Sequence, residues 1–367
     1  MPATEHFDTI VIGGGQAGLA TGYYLKRQGR DFVILDAHTR VGDAWRQRWD
    51  SLRLFTPARY NGLPRMPFPA PAHSLPSKDE MADYLEAYAA RFALPVRTGV
   101  KVTRLLKEVD RFVVEAGTLR FEANNVVVAT GPYHTPRIPA FASELDPTIT
   151  QMHSGQYRRP SQLRDGGVLV VGAANSGAEI ALEVSRAHQT WLSGRHPGNE
   201  PTRPGSAADR LMTPLIWFVF SHVLTVNTPM GRKAAAQLRS HGIPLARVRS
   251  ADLLAAGVER VHARTVEVRD GLPVLADGRI LDVTNVIWCT GFSPGFEWID
   301  LPIFAHDGEP LHECGVVTSH SGLYFVGLFF QSAVISSLVG GVGRDAEHVV
   351  QVISMRASGS APQPSGV

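Results

Sequence analysis

The sequence has 367 residues, 44% hydrophobic and 19% charged, with a formal net charge of +2. That length accommodates two domains of ordinary size, and the near-neutral balance excludes an electrostatic preference for nucleic acid. Two cysteines, Cys289 and Cys314, are too few and too isolated for a disulfide framework or a zinc site, so no bound metal is expected.

The chain opens on a strand, a glycine turn, a helix, a second strand and an acid. Residues 9–12 are a short β-rich run, and Gly13, Gly15 and Gly18 supply the spacing G-x-G-x-x-G. Residues 17–28 form helix, and 32–35 are an apolar run ending at Asp36. Gly13 permits the tight turn, Gly15 lets a pyrophosphate approach the backbone, and Gly18 lets the helix pack closely on the sheet. The helix N-terminus offers unpaired N–H groups and a positive dipole end. Asp36 follows the last glycine at the spacing of a carboxylate that hydrogen-bonds an adenosine ribose. Alone the glycine spacing is weak. With strand, helix and acid in register it reads as a dinucleotide site. The N-terminal stretch lacks the pattern of a secretory signal, and the apolar stretch 211–226 is shorter than a bilayer span and interrupted by Pro214, Ser221 and His222. A cytoplasmic protein with no membrane span is therefore expected.

Residues 41–70 are rich in Gly, Pro and aromatics, including Trp45, Trp49, Phe55, Tyr60 and Phe68. Such a segment is irregular; it is either a packed loop with its own small core or a wall around a flat ring. Ser77 to Glu80 is a capping box opening a helix that runs to about Phe92, with Met81, Tyr84, Leu85 and Tyr88 on one face. Short strands are expected at 100–105, 112–114, 119–121 and 126–129, a small antiparallel layer attached to a parallel sheet. Thr130-Gly131 then makes a small-residue turn where a backbone can approach a ligand.

The opening arrangement recurs from Val168, with Gly172, Ala174 and Gly177 in the glycine positions and a strand at 190–192. Where the first unit ends in Asp36, this one gives Ser193-Gly194-Arg195-His196. A carboxylate favours a free ribose 2′-hydroxyl and repels a 2′-phosphate, whereas Arg offers that phosphate a bidentate fork. The first site suits FAD or NAD and the second NADPH; the bland reading of Arg195 is an ordinary surface arginine. Residues 197–250 are the least legible. Their apolar run 211–226 reads first as core, with a substrate lid or dimer contact as alternatives, and the basic stretch 232–239 as a solvated face. Strands return from Val258, at 282–291 ending in Thr290-Gly291, and at 322–327. A final helix is expected over 345–355, then a disordered tail over 357–367.

Two dinucleotide folds, Asp-terminated then Arg-terminated, together with GGGQAGL, GDAWRQRWDSLRLFTP, VVVATGPYHTPRIP, HSGQY, VVGAANSGAEIA, WCTGF and GLYFVGL, resemble the bacterial flavin-containing monooxygenase family. That family includes short NAD(P)H-oxidising members and, more distantly, the plant indole-pyruvate monooxygenases. The resemblance covers nearly all the chain except 197–255. It implies an α/β fold of two Rossmann-like domains, the NADPH domain (161–290) inserted between the two parts of the FAD domain (1–160 and 291–356). FAD would lie against Gly13, Gly15, Gln16, Gly18 and Asp36, with Gly42, Trp45, Leu54 and Thr56 on the isoalloxazine side. Val102 would meet the adenine through its backbone, and Thr130 and Gly131 would line the crossing. NADPH, with NADH as an alternative, would lie along Gly172, Asn175, Ser176 and Gly177, with Ser193, Arg195 and His196 at the 2′ position and Thr290 and Gly291 nearby.

In that family reduced flavin reacts with oxygen to a hydroperoxide, which oxygenates a small organic substrate by sulfoxidation, N-oxidation or Baeyer–Villiger reaction. Two departures stand out. The family signature between the cofactor motifs keeps His153 and Tyr157 here, but Pro147 and Ile149 replace Phe and Gly; His153 also reads as a satisfied core or surface histidine. Relatives place an active-site Asn where this chain has Phe55, a catalytic position whose apolar ring donates no hydrogen bond, so substantial uncoupling is expected. The competing readings are an NAD(P)H oxidase making hydrogen peroxide and a reductase passing electrons to a partner. A thiol route lacks a C-x-x-C pair. A non-enzymatic flavin sensor has no need of a second nucleotide site. Expected partners are O2 and a small molecule, with a homodimer as a further expectation.

Overall fold

The first unit is built from β1 (Thr4–Ile12), α1 (Gln16–Arg27) and β2 (Phe32–Leu35) in a computed structural model that describes residues 4–200, 202–241 and 243–359. β1 and β2 are parallel, Thr9 opposite Phe32 and Ile12 opposite Leu35, so Gly13 and Asp36 emerge side by side. All of β2 is buried, as a parallel strand covered on both faces requires. A single turn α2 (Asp43–Arg46) leads through the aromatic loop to α3 (Lys78–Arg91). The expected capping box is present at Ser77 and Glu80, and Met81, Tyr84, Leu85 and Tyr88 form the buried face. The edge strand β3 (Val96–Arg97) follows.

A meander of β4 (Arg104–Glu108), β5 (Arg111–Ala116) and β6 (Leu119–Val128) extends this sheet. Two expectations are corrected here. Residues 100–103 are not strand, because the Val100 N–H is drawn to the Asp36 carbonyl. The strands expected at 119–121 and 126–129 are one element, antiparallel to β5 in its first half and parallel to β1 along its length. Asn124-Asn125 resembles a turn in sequence, but the Asn125 side chain donates to the Asp8 carbonyl and stays within the sheet.

The chain then crosses, through β7 (Thr135–Pro136), into a second parallel sheet. This contains β8 (Thr150–His153), β9 (Val168–Val171), α4 (Asn175–Val184) and β10 (Thr190–Ser193). After the helices α5 (Ala207–Phe218), α6 (Pro229–His241) and α7 (Ser250–Ala255) come β11 (Glu259–Val261), the hairpin β12 (Thr265–Arg269) and β13 (Leu272–Leu275), and β14 (Asn285–Trp288). The sheet order is β11-β10-β9-β14-β8. β15 (Phe292–Ser293) pairs antiparallel with β7, so outgoing and returning crossings are stitched together. β16 (Leu323–Phe325) rejoins the first sheet beside β6, and α8 (Val342–Ala357) packs on α1. α8 begins three residues before the expected start, taking in Val342 and Gly343 as buried positions. The expected tail falls largely on 360–367, outside the described residues.

The stretch 211–226 is not core, contrary to the first reading. Leu211, Leu215 and Phe218 are 81%, 64% and 55% exposed on α5. Only one face turns inward, where Trp217 stacks on Tyr60 and the Arg344 guanidinium donates to the Ser221 carbonyl. The aromatic loop is divided between the two sheets: Leu54, Leu63 and Phe68 join the first core, while Trp49 is buried among Val168, Val170 and Ala181 of the second.

Candidate functional site

At the first glycine turn, a Cβ on Gly13 would sit 2.5 Å from the Ala129 carbonyl oxygen, and one on Gly18 would sit 1.8 Å from the Gly13 carbonyl oxygen. Both glycines are demanded by the fold itself. A Cβ on Gly15 would meet no atom within 4 Å; the space above the α1 N-terminus is open and suits a pyrophosphate. Asp36 is 8% exposed and accepts from the Gly14 N–H, from the His38 N–H at 2.7 Å and from the His38 ring at 3.0 Å. Burial pushes its pKa up, but the bonds from His38 and Gly14 outweigh that and hold it below the usual carboxylate range. The Asp36 carbonyl accepts from the Val100 N–H, two residues before Val102, whose own N–H is unpartnered among the described residues.

The opposite wall comes from the loop. Gly42 has φ of 89° and passes close to the Ala82 carbonyl; the Trp45 indole then donates to Gln16 at 3.4 Å. Thr130 precedes the left-handed Gly131, and its hydroxyl is buried without a protein partner, an orphan donor that a bound ring system can satisfy. Leu54 is core, Phe55 is 40% exposed, and Thr56 donates to Asn61. Asn61 in turn donates to the Thr56 and Pro57 carbonyls, so its whole amide is committed to shaping the loop.

The second turn repeats the first. Cβ atoms on Gly172 and Gly177 would lie 2.3 Å from the Cys289 carbonyl oxygen and 1.8 Å from the Gly172 carbonyl oxygen. Ala174 has φ −79° and ψ −173°, matching Gly15 at −79° and −169°, so alanine in the middle position strains nothing. Asn175, whose amide pins Pro244 and Ala246, and Ser176 open α4. A cavity of about 250 Å³ lies beyond, lined by Gly172, Ser193, Arg195, Arg264, Thr265 and Thr290. Ser193 is fully buried and shares its hydroxyl with Thr265. His196 bonds Ser250 and accepts from the Gly198 N–H, and burial together with Arg260 and His262 lowers its pKa, keeping it neutral. Of the residues expected at the 2′ position, Arg195 alone brings a charge to this cavity, and Arg264 supplies a second. Arg264 escapes sequence reading because it is far along the chain from the glycine turn; only the parallel pairing of β10 with β11 brings it alongside.

Between the sheets, Thr290 donates to the Arg137 carbonyl and Gly291 takes φ of 83°. His153 is fully buried; one ring nitrogen meets the Gly291 carbonyl at 3.0 Å, and the other accepts from the Gly155 N–H at 3.1 Å. Burial lowers its pKa, and the bland reading of a satisfied core histidine holds.

Two glycine-turn units of one geometry, facing a stitched crossing and ending in unlike charge, define an oxidoreductase that holds two dinucleotides. Residues 10–207 match the family described as pyridine nucleotide-disulphide oxidoreductase. An uncharacterized CzcO-like oxidoreductase of Geobacillus kaustophilus is 40% identical, covering 94% of this chain and 98% of its own length. The rice indole-3-pyruvate monooxygenase YUCCA1 (Oryza sativa subsp. japonica) is 34% identical over 50% of this chain and 48% of its own. A mutant flavin monooxygenase from Stenotrophomonas maltophilia has a similar structure, with a TM-score of 0.77 at 28% identity, covering 96% of this chain and 100% of that one. The chain belongs to the pyridine nucleotide-disulphide oxidoreductase family, and its cofactors are FAD and NAD(P)H. Among the described residues no helix is long and apolar enough to cross a membrane.

Proposed function

We propose that the enzyme takes hydride from NADPH and inserts one oxygen atom of O2 into a small organic substrate at a soft nucleophile or a carbonyl. The observation that carries this reading is the state of the sulfurs. Cys289 is buried, its thiol pushed up to about 12 by burial, and Cys314 stands apart from it as a second free thiol. A disulfide-reducing branch requires a reactive thiol close to the flavin, and neither cysteine fits that role. Oxygen is then the natural electron acceptor.

FAD, when bound, supplies hydride acceptance and oxygen activation. The chain's part is to hold and orient. Gly15 and the α1 N-terminus receive the FAD pyrophosphate, Asp36 and Val102 its adenosine, and Trp45, Thr130 and Gly131 its ring side. The α4 N-terminus receives the coenzyme pyrophosphate, and Arg195 and Arg264 face the 2′-phosphate. No side-chain nucleophile or acid–base pair is needed for this chemistry.

The test is a complete balance: NADPH and O2 consumed, peroxide released and product formed, with and without a thioether or a cyclic ketone. Product formation in proportion to a share of the NADPH supports oxygenation. NADPH fully recovered as peroxide with every substrate replaces it with an NADPH oxidase. One observation favours that second reading. Asn61, an amide in this loop, is committed to Thr56 and Pro57, and Phe55 offers no donor in place of the relatives' Asn.

A further inference from the structure

Arg48 lies on the seam between the two sheets with its charge unanswered. It is half-buried, and its Nε donates to the Ala44 carbonyl at 3.2 Å. Among the described residues neither terminal nitrogen has a protein acceptor and no carboxylate comes within ion-pair distance. The guanidinium is held instead by two rings, its central carbon 5.2 Å from the Tyr133 centroid and 5.6 Å from that of Phe292. Those rings meet edge to face at 5.5 Å. Tyr133 follows the Thr130-Gly131 turn and Phe292 follows Thr290-Gly291, so Arg48 marks the point where the outgoing and returning crossings converge. Neighbouring Arg158 differs, since its Nη1 donates to the Gly155 and Tyr157 carbonyls.

A partly desolvated cation without a carboxylate partner keeps some of its solvation cost, and ring faces offset only part of it. Burial, opposed by Tyr133 and reinforced by Arg158, draws the Arg48 pKa below the ordinary arginine value. Its terminal N–H donors are arranged to grip a planar anion in a fork. Nucleotide phosphates have their own receptors: the α1 and α4 N-termini for the two pyrophosphates, Arg195 and Arg264 for the 2′-phosphate. The remaining reactant is the organic substrate. Flanking aromatic faces suit an apolar body attached to the anion.

We propose that Arg48 is a specificity-determining residue that anchors a carboxylate on the organic substrate, so that the enzyme selects acids over their neutral analogues. This rests on the oxygenation reading, so the test separates the two. Calorimetric titration of the oxidised FAD enzyme with (phenylthio)acetate and with its amide reads binding without turnover. Expected is a clear preference for the acid in the wild type, abolished in Arg48→Gln by a roughly ten- to hundredfold loss for the acid alone. Arg48→Lys should keep part of the preference, having the charge without the fork. FAD content and NADPH affinity should be unchanged in both variants. Equal affinity for acid and amide, no binding of either, or a preference that survives Arg48→Gln overturns the proposal. So does loss of NADPH affinity, which would give the cation to a coenzyme phosphate, or loss of FAD from both variants, which would make it structural. Failure of oxygenation alone appears differently: the acid binds through Arg48, and no sulfoxide forms.

Discussion

Asp36 shows how a single side chain links fold and ligand. Its carboxylate braces the glycine turn through Gly14 and the following loop through His38, while remaining at the end of β2 where an adenosine ribose would lie. Asp36→Ala should weaken FAD by about 1.5–3 kcal/mol, roughly ten- to hundredfold in Kd, measured by titrating stripped enzyme with FAD. An unchanged Kd would remove Asp36 from the ribose site. The pair also sets a pH window. The lowered pKa of Asp36 gives stability that is present above 3.8 and lost as pH falls through its folded value. The His38 pKa is raised, chiefly by its bond to Asp36 and against burial, so its share is present below 6.5 and lost as pH rises through the folded value. His38→Gln should therefore lower the melting temperature more near pH 6 than near pH 9; equal effects would mean that the pair is not coupled. At the other nucleotide, Arg195→Ala and Arg264→Ala should each raise the KM for NADPH about ten- to hundredfold and leave NADH nearly untouched. Equal losses for both coenzymes would make those arginines structural. Phe55→Asn should lower the peroxide released per NADPH at unchanged flavin content; lost flavin would show instead that Phe55 packs the site.

At the scale of elements, the glycines in one turn do different jobs, and the difference is measurable. Gly18→Ala places a methyl group against the Gly13 carbonyl and should impair folding of the first unit. Gly15→Ala meets no protein atom and should fold with a wild-type melting temperature in the flavin-free state, yet bind FAD more weakly. If both variants lose stability alike, the space above Gly15 is not reserved for ligand. These turns were legible because backbone sterics act within a few residues, and α3 was legible because its cap and apolar face are both local. Elements set by distant partners were harder to read. β6 looked like two strands until Asn125 found the Asp8 carbonyl. The stretch 211–226 looked like core because apolar content does not say which face Tyr60 and Arg344 will cover. Arg264 and Arg48 had no local signature, since each is given its setting by elements far away in sequence. His153 was ambiguous for the same reason: its satisfied state depends on Gly291, far away in sequence, which follows β14, the strand paired beside β8.

The two sheets are joined by more than the β7–β15 ladder, and the additional joint carries a titratable group. Trp49 buries itself in the second core, and the Asp50 N–H donates to the Arg158 carbonyl at 2.8 Å. Arg247 completes the joint, bonding Glu179 on α4 at 3.0 Å and the Arg53 carbonyl of the aromatic loop at 3.3 Å. Burial raises the Glu179 pKa from 4.5 to about 7, against the pull of Arg247 and with help from Glu183. A carboxyl raised in the folded state keeps its proton where the unfolded chain has lost it. Stability from this source is therefore full below about 4.5 and declines as pH rises towards 7, reaching its loss above that. The shift corresponds to at most about 3 kcal/mol, with the attraction of Arg247 already included. The wild-type melting temperature should fall between about pH 5 and pH 8 more steeply than that of Glu179→Gln, whose amide does not titrate. Because several cooperative units are present, the comparison belongs to the first unfolding transition followed by flavin fluorescence. Parallel pH profiles for the two proteins would show that Glu179 is already ionised throughout, and that the joint is a fixed ion pair rather than one that weakens as the carboxyl loses its proton.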